Sequence, residues 1–328
     1  MKTLSFIIPL YNSAQWLQKC LYSVLDQDIP EDEIEIICVN DGSLDNSADL
    51  AREIAKEHPC IIVIDQVNQG PSGARNTGMS HATGKYLCFV DPDDFVEPNV
   101  YGGLIKQMED EQLDMLRFDY QVVNEHYEVI PKRAFELKFD YTPQLMSGTD
   151  FLTNRLDIAC NIWRYVYRTE IITKNNIWCY TGDYYDDTPW LPLVLMKAER
   201  MNICDTVVYD YLERSDSLVN AKSPRATQRK IDGGLMLLDI LTEQLKMIDD
   251  AGVRSWYDRM IAHSVVSLMT LIGVYHYDKS SDYLERLNKL QIFPIFNPHG
   301  SNMQSMKVRL LNLSPKLFLW LLHIKNKQ

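Results

Sequence analysis

No run of apolar residues in this 328-residue chain approaches the ~20 needed to cross a bilayer. Met1-Lys2 leads straight into an apolar stretch, without the hydrophobic core and small-residue cleavage site of a secretion signal. Cysteine is present seven times, an odd number, at 20, 38, 60, 88, 160, 179 and 204, and never as a C-x-x-C pair. That excludes a zinc knuckle and argues against a disulfide framework, and Cys38 and Cys88 lie inside apolar runs that make them small buried hydrophobes. Low-complexity tracts and repeats are absent, which excludes a solenoid and long disorder. Positive charge is short overall: the formal net charge is −12, whereas a nucleic-acid binder needs basic surface to displace counterions. Acid is missing in one place only. After Glu285 there is no Asp or Glu, while Arg286, Lys289, Lys307, Arg309, Lys316, Lys325 and Lys327 are all basic. We therefore expect a protein that faces the cytosol and does not bind nucleic acid.

What is present is alternation. Leu4 to Ile8 reads as a strand ended by Pro9, with Tyr11-Asn12-Ser13 capping a helix whose apolar positions are Trp16, Leu17, Cys20, Leu21 and Val24. The pattern repeats: strand Ile34 to Val39, turn Asn40-Asp41-Gly42-Ser43 and a helix to about Glu57; strand Ile61 to Ile64; a Gly70-Pro71-Ser72-Gly73 opening; and strand Tyr86 to Val90. Such alternation implies right-handed crossovers and a largely parallel sheet. Further on we expect a helix from Glu97 through Met108, a strand from Asp114 to Phe118, a weak hairpin from Tyr120 to Tyr141, and a short helix capped by Thr149-Asp150. A strand from Ile162 to Tyr167 should carry Trp163, Tyr165 and Tyr167 on one face, followed by a helix from Trp190 to Lys197 and a strand from Met201 to Leu212. From Arg225 the spacing is helical, so the chain is expected to divide into an α/β domain of residues 1–220 and a helical region of 221–328.

Four polar loops, at 9–13, 40–45, 70–76 and 91–94, each follow a strand, and a parallel sheet brings such tips to one edge, where open α/β sheets bind ligands. The last of them, Asp91-Pro92-Asp93-Asp94, puts three carboxylates within four positions at a strand end. Hard oxygen ligands of this kind suit Mg²⁺ or Mn²⁺ accompanying a phosphorylated ligand. Asp41 can accept the imide N–H of a uracil, Arg75 can neutralise a phosphate or hold the base, and Asp91 with Asp93 can take ribose and metal. Each loop taken singly is also ordinary turn and capping chemistry.

Phe6-Ile7-Ile8-Pro9-Leu10-Tyr11-Asn12, Val39-Asn40-Asp41-Gly42-Ser43-Leu44-Asp45, Asn68-Gln69-Gly70-Pro71-Ser72-Gly73-Ala74-Arg75-Asn76 and Phe89-Val90-Asp91-Pro92-Asp93-Asp94, in this order and spacing over residues 3–110, resemble the family 2 glycosyltransferases of the GT-A fold. The resemblance implies a Rossmann-like, mainly parallel α/β sheet flanked by helices, and inverting transfer of a sugar from a nucleotide donor, usually UDP-linked, with Mn²⁺ or Mg²⁺ held by the D-x-D aspartates. Carried over to this chain, Pro9, Tyr11, Asn12 and Asp41 would line the nucleotide and Arg75 would help hold it. Asp91 would meet ribose or metal, and Asp93 would be the main protein ligand of the metal. Asn40 departs from the first Asp often found there and leaves Asp41 intact. Tyr184-Tyr185-Asp186-Asp187-Thr188-Pro189 looks like the family's E-D-T-P-like block with Asp for Glu, which implies Asp187 as catalytic base beside Asp186. Arg214 stands where the family often has a basic residue that touches the diphosphate.

The acceptor expected is a saccharide or lipid-linked glycan in surface polysaccharide or glycolipid synthesis. Basic and apolar residues from Met306 to Lys325 read as an interfacial segment, for the inner face of a membrane, for the protein's own core, or for a homodimer contact. Two rivals remain. A sugar-1-phosphate nucleotidyltransferase would need an N-terminal Gly-rich loop with Arg and Lys, where this chain has Pro9-Leu10-Tyr11-Asn12; a catalytically silent nucleotide-sugar-binding protein would keep the loops without turnover.

Overall fold

The computed structural model describes residues 2–132, 139–156, 159–181, 187–214, 223–296 and 302–327. The chain divides into two compact units, residues 1–151 with 160–215 and residues 152–159 with 216–328. The boundary expected near 220 lies outside the described residues, and the short stretch 152–159 joins the helical unit.

In the first unit, Leu4–Leu10 (β1), Ile34–Asn40 (β2), Ile61–Asp65 (β3) and Tyr86–Phe89 (β4) run parallel in the order β3-β2-β1-β4. They are joined through helices Ala14–Leu25 (α1), Ser47–Ala55 (α2) and Gly70–His81 (α3). β1 and β2 are buried along their whole length, as expected of central strands covered on both faces. Pro9 is tolerated in so central a strand because the β1–β4 ladder has already ended, with Val90 N–H donating to the Ile7 carbonyl at 3.0 Å, so no partner is lost to the missing proline N–H. The sheet therefore parts at the carboxyl ends of β1 and β4, where the strand order also reverses direction. That is the place where such sheets bind ligands.

The sheet continues β4-β8-β6-β9-β5 with Phe95–Val96 (β5), Met115–Val123 (β6), Tyr165–Arg168 (β8) and Met201–Leu212 (β9), while Val129–Ile130 (β7) pairs with β6. β8 is antiparallel to both β4 and β6, and β9 is parallel to β6. Helices Tyr101–Asp110 (α4), Gly148–Asn154 (α5), Thr169–Thr173 (α6) and Asp187–Leu195 (α7) complete the order.

Several expectations are corrected in detail. The helix expected from Glu97 starts at Tyr101, because β5 and a turn through Asn99 come first and the N–H groups of Val100 and Tyr101 are received by Gln27 Oε1, at 3.1 and 3.2 Å. The cap of α5 is Ser147, whose hydroxyl accepts the Asp150 N–H at 3.0 Å, and not Thr149-Asp150. Trp163 does not share a strand face with Tyr165 and Tyr167; it sits in a one-turn helix, Ile162–Arg164, and stacks on Tyr209. The hairpin is confined to Val122–Val123 against Val129–Ile130, and residues 133–138 lie outside the described set.

The second unit contains Pro224–Lys246 (α8), Ala251–Tyr275 (α9), Ser280–Lys289 (α10), Asn302–Leu313 (α11) and Pro315–Lys327 (α12). Ser223 and Asp250 accept the first free N–H groups of α8 and α9, at 3.2 and 2.8 Å. Ile231, Leu235, Leu238 and Leu241 of α8 and Val265, Leu268, Met269 and Ile272 of α9 are buried, at ~1.5–3 kcal/mol for each fully buried large side chain. All seven cysteines are buried, and burial pushes the Cys38 thiol up to about 12, so it acts as an inert hydrophobe.

Candidate functional site

The loops after β1, β2 and β4 meet at the carboxyl edge of β1 to β4, and the stretch 70–76, expected as the fourth loop, is the start of α3. Asp41, just past β2, is buried, and its carboxylate is built into the next loop: Oδ1 accepts the Gln66 Nε2 donor at 2.7 Å and the Gln69 N–H at 2.8 Å, and Oδ2 accepts the Gly70 N–H at 2.8 Å. Gly70 can direct its N–H there because it adopts φ +79°, open to glycine at no steric cost. A carboxylate accepts about four hydrogen bonds, so Oδ2 keeps room for one more donor, as a base imide would require. Asn12 braces the same edge, its Oδ1 accepting the Leu44 N–H at 2.8 Å and its own N–H donating to Ser43 Oγ at 3.2 Å. Tyr11 stands exposed beside it, and Pro9 is buried at the end of β1.

α3 delivers Arg75 into this edge. The helix lies close on β1, since a Cβ on Gly78 would come within 2.4 Å of Ile7 Cγ2, and that approach needs a glycine. The buried Arg75 guanidinium donates from Nη2 to Asp91 Oδ1 at 2.7 Å, and its Nη1 lies 3.7 Å from Asp187 Oδ1. One cation thus joins the first aspartate of the D-x-D loop to the expected base. Asp187 is the first residue of α7, where a carboxylate is favoured by the helix dipole, and its Oδ2 accepts the Ile162 N–H at 3.3 Å. Asp186 lies outside the described residues.

The remaining acids of the loop have separate work. Asp94 is buried and structural: it accepts the Tyr209 hydroxyl at 2.8 Å and the Leu212 N–H at 2.7 Å, tying β9 to the loop. Burial, with Asp93 and Asp91 nearby, pushes its carboxyl well above the usual range. The Tyr209 hydroxyl in turn accepts the Asp91 N–H at 3.0 Å, which fixes the loop backbone. Asp93 faces Arg214, whose Nη2 lies 2.7 Å from its Oδ2 and whose guanidinium stacks 4.0 Å above the Trp16 ring. Burial and then Asp91 raise the Asp93 pKa, and Arg214 opposes the rise. Arg214, expected at the diphosphate, thus pairs with the expected metal ligand.

These residues fit a divalent ion. Asp91 and Asp93 are two hard carboxylates at one strand end, and the guanidinium of Arg214 stands in as the cation that Asp93 calls for. Among the described residues no group of three or more His, Cys, Asp or Glu is arranged to hold a metal by itself. The chain would then supply Asp93 and Asp91, leaving other positions to substrate phosphate and water, the usual arrangement for Mg²⁺.

Tyr209, Trp16 and Asn76 carry the site without having been singled out in the sequence. The Asn76 side chain donates to the Cys179 carbonyl at 2.9 Å and accepts the Cys179 N–H at 2.8 Å, clamping α3 to the segment that leads towards Asp187. The only local signal for it is its place beside Arg75; Tyr209 and Trp16 lie in an apolar strand and an amphipathic helix, indistinguishable there from core residues.

Comparison with known proteins finds a match to the family described as Glycosyl transferase family 2 over residues 5–162. The uncharacterized glycosyltransferase YibD of Escherichia coli is 32% identical over 224 residues, 66% of this chain and 62% of that protein. The glycosyltransferase GlyG of Streptococcus pneumoniae is 33% identical over 244 residues, 70% of this chain and 76% of that protein. The poly(ribitol-phosphate) beta-glucosyltransferase of Bacillus spizizenii is 41% identical over 95 residues, 28% of this chain and 15% of that protein. The matches thus span less than two thirds of YibD and of the Bacillus subtilis relative EpsJ, 62% of each. Among solved structures, S. aureus TarS 1–349 in complex with UDP is similar with a TM-score of 0.71 at 18% identity, covering 100% of this chain and 92% of that one. The mannosyltransferase PcManGT from Pyrobaculum calidifontis, with GDP-Man and Mn²⁺, has a TM-score of 0.56 at 14% identity, covering 99% and 86%. The fold is the mixed α/β GT-A fold expected, with helices following it.

Proposed function

The chain belongs to glycosyl transferase family 2, and from that premise we propose that it moves a sugar from a UDP-sugar, with inversion and with a divalent metal, to a saccharide or lipid-linked acceptor in cell-surface polymer synthesis. The observation that carries this reading is the meeting of Asp91 and Asp187 on the one guanidinium of Arg75, which sets a base carboxylate beside the loop suited to a diphosphate. UDP in the TarS structure and the ribitol-phosphate polymer named for the Bacillus relative support the donor and the acceptor class.

In this reading Asp41 receives the uracil imide, and Pro9, Tyr11 and Asn12 line the base. Asp187 takes the proton of an acceptor hydroxyl as its oxygen attacks the anomeric carbon, while the bond to the diphosphate breaks and the electron pair leaves on phosphate. Arg75 and Arg214 stabilise the charge that develops there. A metal held by Asp93 and Asp91, when bound, supplies Lewis-acid stabilisation of the same diphosphate. Incubation with UDP-sugars, Mn²⁺ and water as acceptor is expected to release UDP and free sugar slowly. Release of pyrophosphate from a nucleoside triphosphate would make the chain a nucleotidyltransferase, and binding without either product would make it a silent binder.

The helical unit adds a membrane-surface role to this proposal and, with it, a place at the inner face of the cell membrane. α12 uses Phe318 and Leu319 to dock on its own unit, Leu322 reaching 3.0 Å from the site of a Cβ on Gly273. Leu317, Trp320, Leu321 and Ile324 form a second stripe at i, i+3, i+4 and i+7, between 37% and 47% exposed. Phe318, buried in its own unit, is not part of this stripe. Basic residues and no acid from Arg286 onward fit an anionic bilayer, with about 1 kcal/mol for each Lys or Arg near its surface. Trp320→Ser with Leu321→Ser is expected to abolish co-sedimentation of the full chain with anionic vesicles, and 1 M salt to weaken it. Equal sedimentation of the double variant, or equal binding to neutral vesicles, would exclude this face as the contact.

A further inference from the structure

Outside the donor machinery, one cluster has more buried cation than the acids among the described residues match. Arg117 on β6 and Arg164 at the end of the Ile162–Arg164 turn are 3% and 4% exposed, and the Nε of each has no hydrogen-bond partner. Arg117 donates to the Tyr165 hydroxyl at 3.3 Å and lies 3.8 Å over the Phe139 ring; Arg164 bonds the Tyr141 hydroxyl and lies 4.4 Å over Tyr120. Lys132 joins them from the rim, 4.6 Å over Tyr120. Among the described residues, the ion pairs of this cluster converge on Asp119, which is 2.6 Å from Lys132 and only 3.9 Å from Arg164. Burying cations without matching acids is costly. The burial itself, with Arg117 alongside, lowers the Arg164 pKa.

The place of the cluster says what the excess is for. The Ile162–Arg164 turn touches both halves of the site: Ile162 N–H donates to Asp187, and the Trp163 ring stacks 4.3 Å from Tyr209, whose hydroxyl holds the Asp91 N–H. Arg164 follows Ile162 by two residues, a reach of at most ~7 Å. Opposite Asp119, β9 carries extra residues that break the β6–β9 register, and such irregularities re-aim side chains beside active sites. We propose that Arg164, Arg117 and Lys132 bind a phosphate ester of the acceptor, holding its attacking hydroxyl at Asp187. This rests on the transferase reading and assigns the acceptor a charge that reading leaves open.

The test holds the donor site filled with saturating UDP and Mn²⁺, so that added phosphate cannot enter beside Arg75, and titrates glycerol 3-phosphate, farnesyl diphosphate in detergent, and glycerol by calorimetry. Glycerol 3-phosphate or farnesyl diphosphate is expected to bind and glycerol not; which of the two binds separates a polyol phosphate from a lipid-linked one. Arg164→Gln should weaken binding at least 10-fold and Arg164→Lys less, with UDP affinity kept. Should Arg164→Gln not fold, Lys132→Gln at the rim carries the test with the same expected loss. Undiminished phosphate binding in the folded variants, no preference over glycerol, or competition between the phosphate and UDP would overturn the proposal. A native chain that binds glycerol 3-phosphate but not UDP would instead overturn the transferase reading and leave the anion site standing.

Discussion

Asp187→Asn is expected to fold, to bind UDP as the native chain does, and to lose turnover by on the order of 10²-fold or more. Asparagine keeps an oxygen for the Ile162 N–H, which now donates to Asp187 Oδ2 at 3.3 Å, so the start of α7 is preserved apart from a dipole contribution of about 0.3–1 kcal/mol. What disappears is the ability to take a proton. The nucleotide does not need that ability, because the residues suited to base and diphosphate lie elsewhere, Asp41 and Asp93 in other loops and Arg75 in α3. Loss of the charge 3.7 Å from Arg75 leaves that guanidinium still bonded to Asp91 at 2.7 Å. The assay is hydrolysis of the UDP-sugar with water in place of the acceptor hydroxyl, read beside a UDP titration. Near-native turnover in Asp187→Asn together with its loss in Asp186→Asn would move the base one residue. Loss of UDP binding in Asp187→Asn would show that the residue acts through Arg75 on the donor.

The parts of this site legible in the sequence are those written in local chemistry. An apolar run followed by Asp, Asn or Gly at a turn shows a strand and its carboxyl end, and four such ends in parallel gather Pro9, Asp41, Arg75 and Asp91 without any knowledge of side-chain contacts. What was hidden depends on partners far along the chain. β5 is two residues long and exists because Phe95 and Val96 pair with Asp210 and Tyr209, more than a hundred positions away. The start of α4 is set by Gln27, which lies just past the end of α1. Asp94, third in a run that read as one acidic group, is withdrawn from the surface by Tyr209 and Leu212, so a cluster of three carboxylates resolves into two that face Arg75 and Arg214 and one anchor. Arg117 and Arg164 escaped notice for the same reason: in sequence they sit in apolar strand-like stretches, and only the pairing of β6 with β8 brings them together.

Asp93→Asn is expected to abolish the enhancement of UDP binding by Mn²⁺, while Asp94→Asn should lower stability instead. In the native chain Asp93 is buried, its pKa is raised by that burial and by Asp91, and its counter-charge is Arg214 at 2.7 Å. A diphosphate approaching this loop meets two carboxylates and needs positive charge between them and itself. Arg214, held over Trp16 at 4.0 Å, already occupies one Asp93 oxygen, so metal and guanidinium compete for it, and release of Arg214 frees a cation for the diphosphate. Mn²⁺ is accordingly expected to tighten UDP binding by on the order of 10-fold or more, about 1.4 kcal/mol. Asparagine offers a neutral oxygen and removes the charge that both cations are bound by. Calorimetric titration of UDP into both proteins, with Mn²⁺ and with chelator, gives four affinities. An equal gain from Mn²⁺ in the native chain and in Asp93→Asn would remove Asp93 as the ligand. No gain in the native chain would mean that Arg75 and Arg214 carry the diphosphate by themselves, and that the metal proposed for this site has no part in binding.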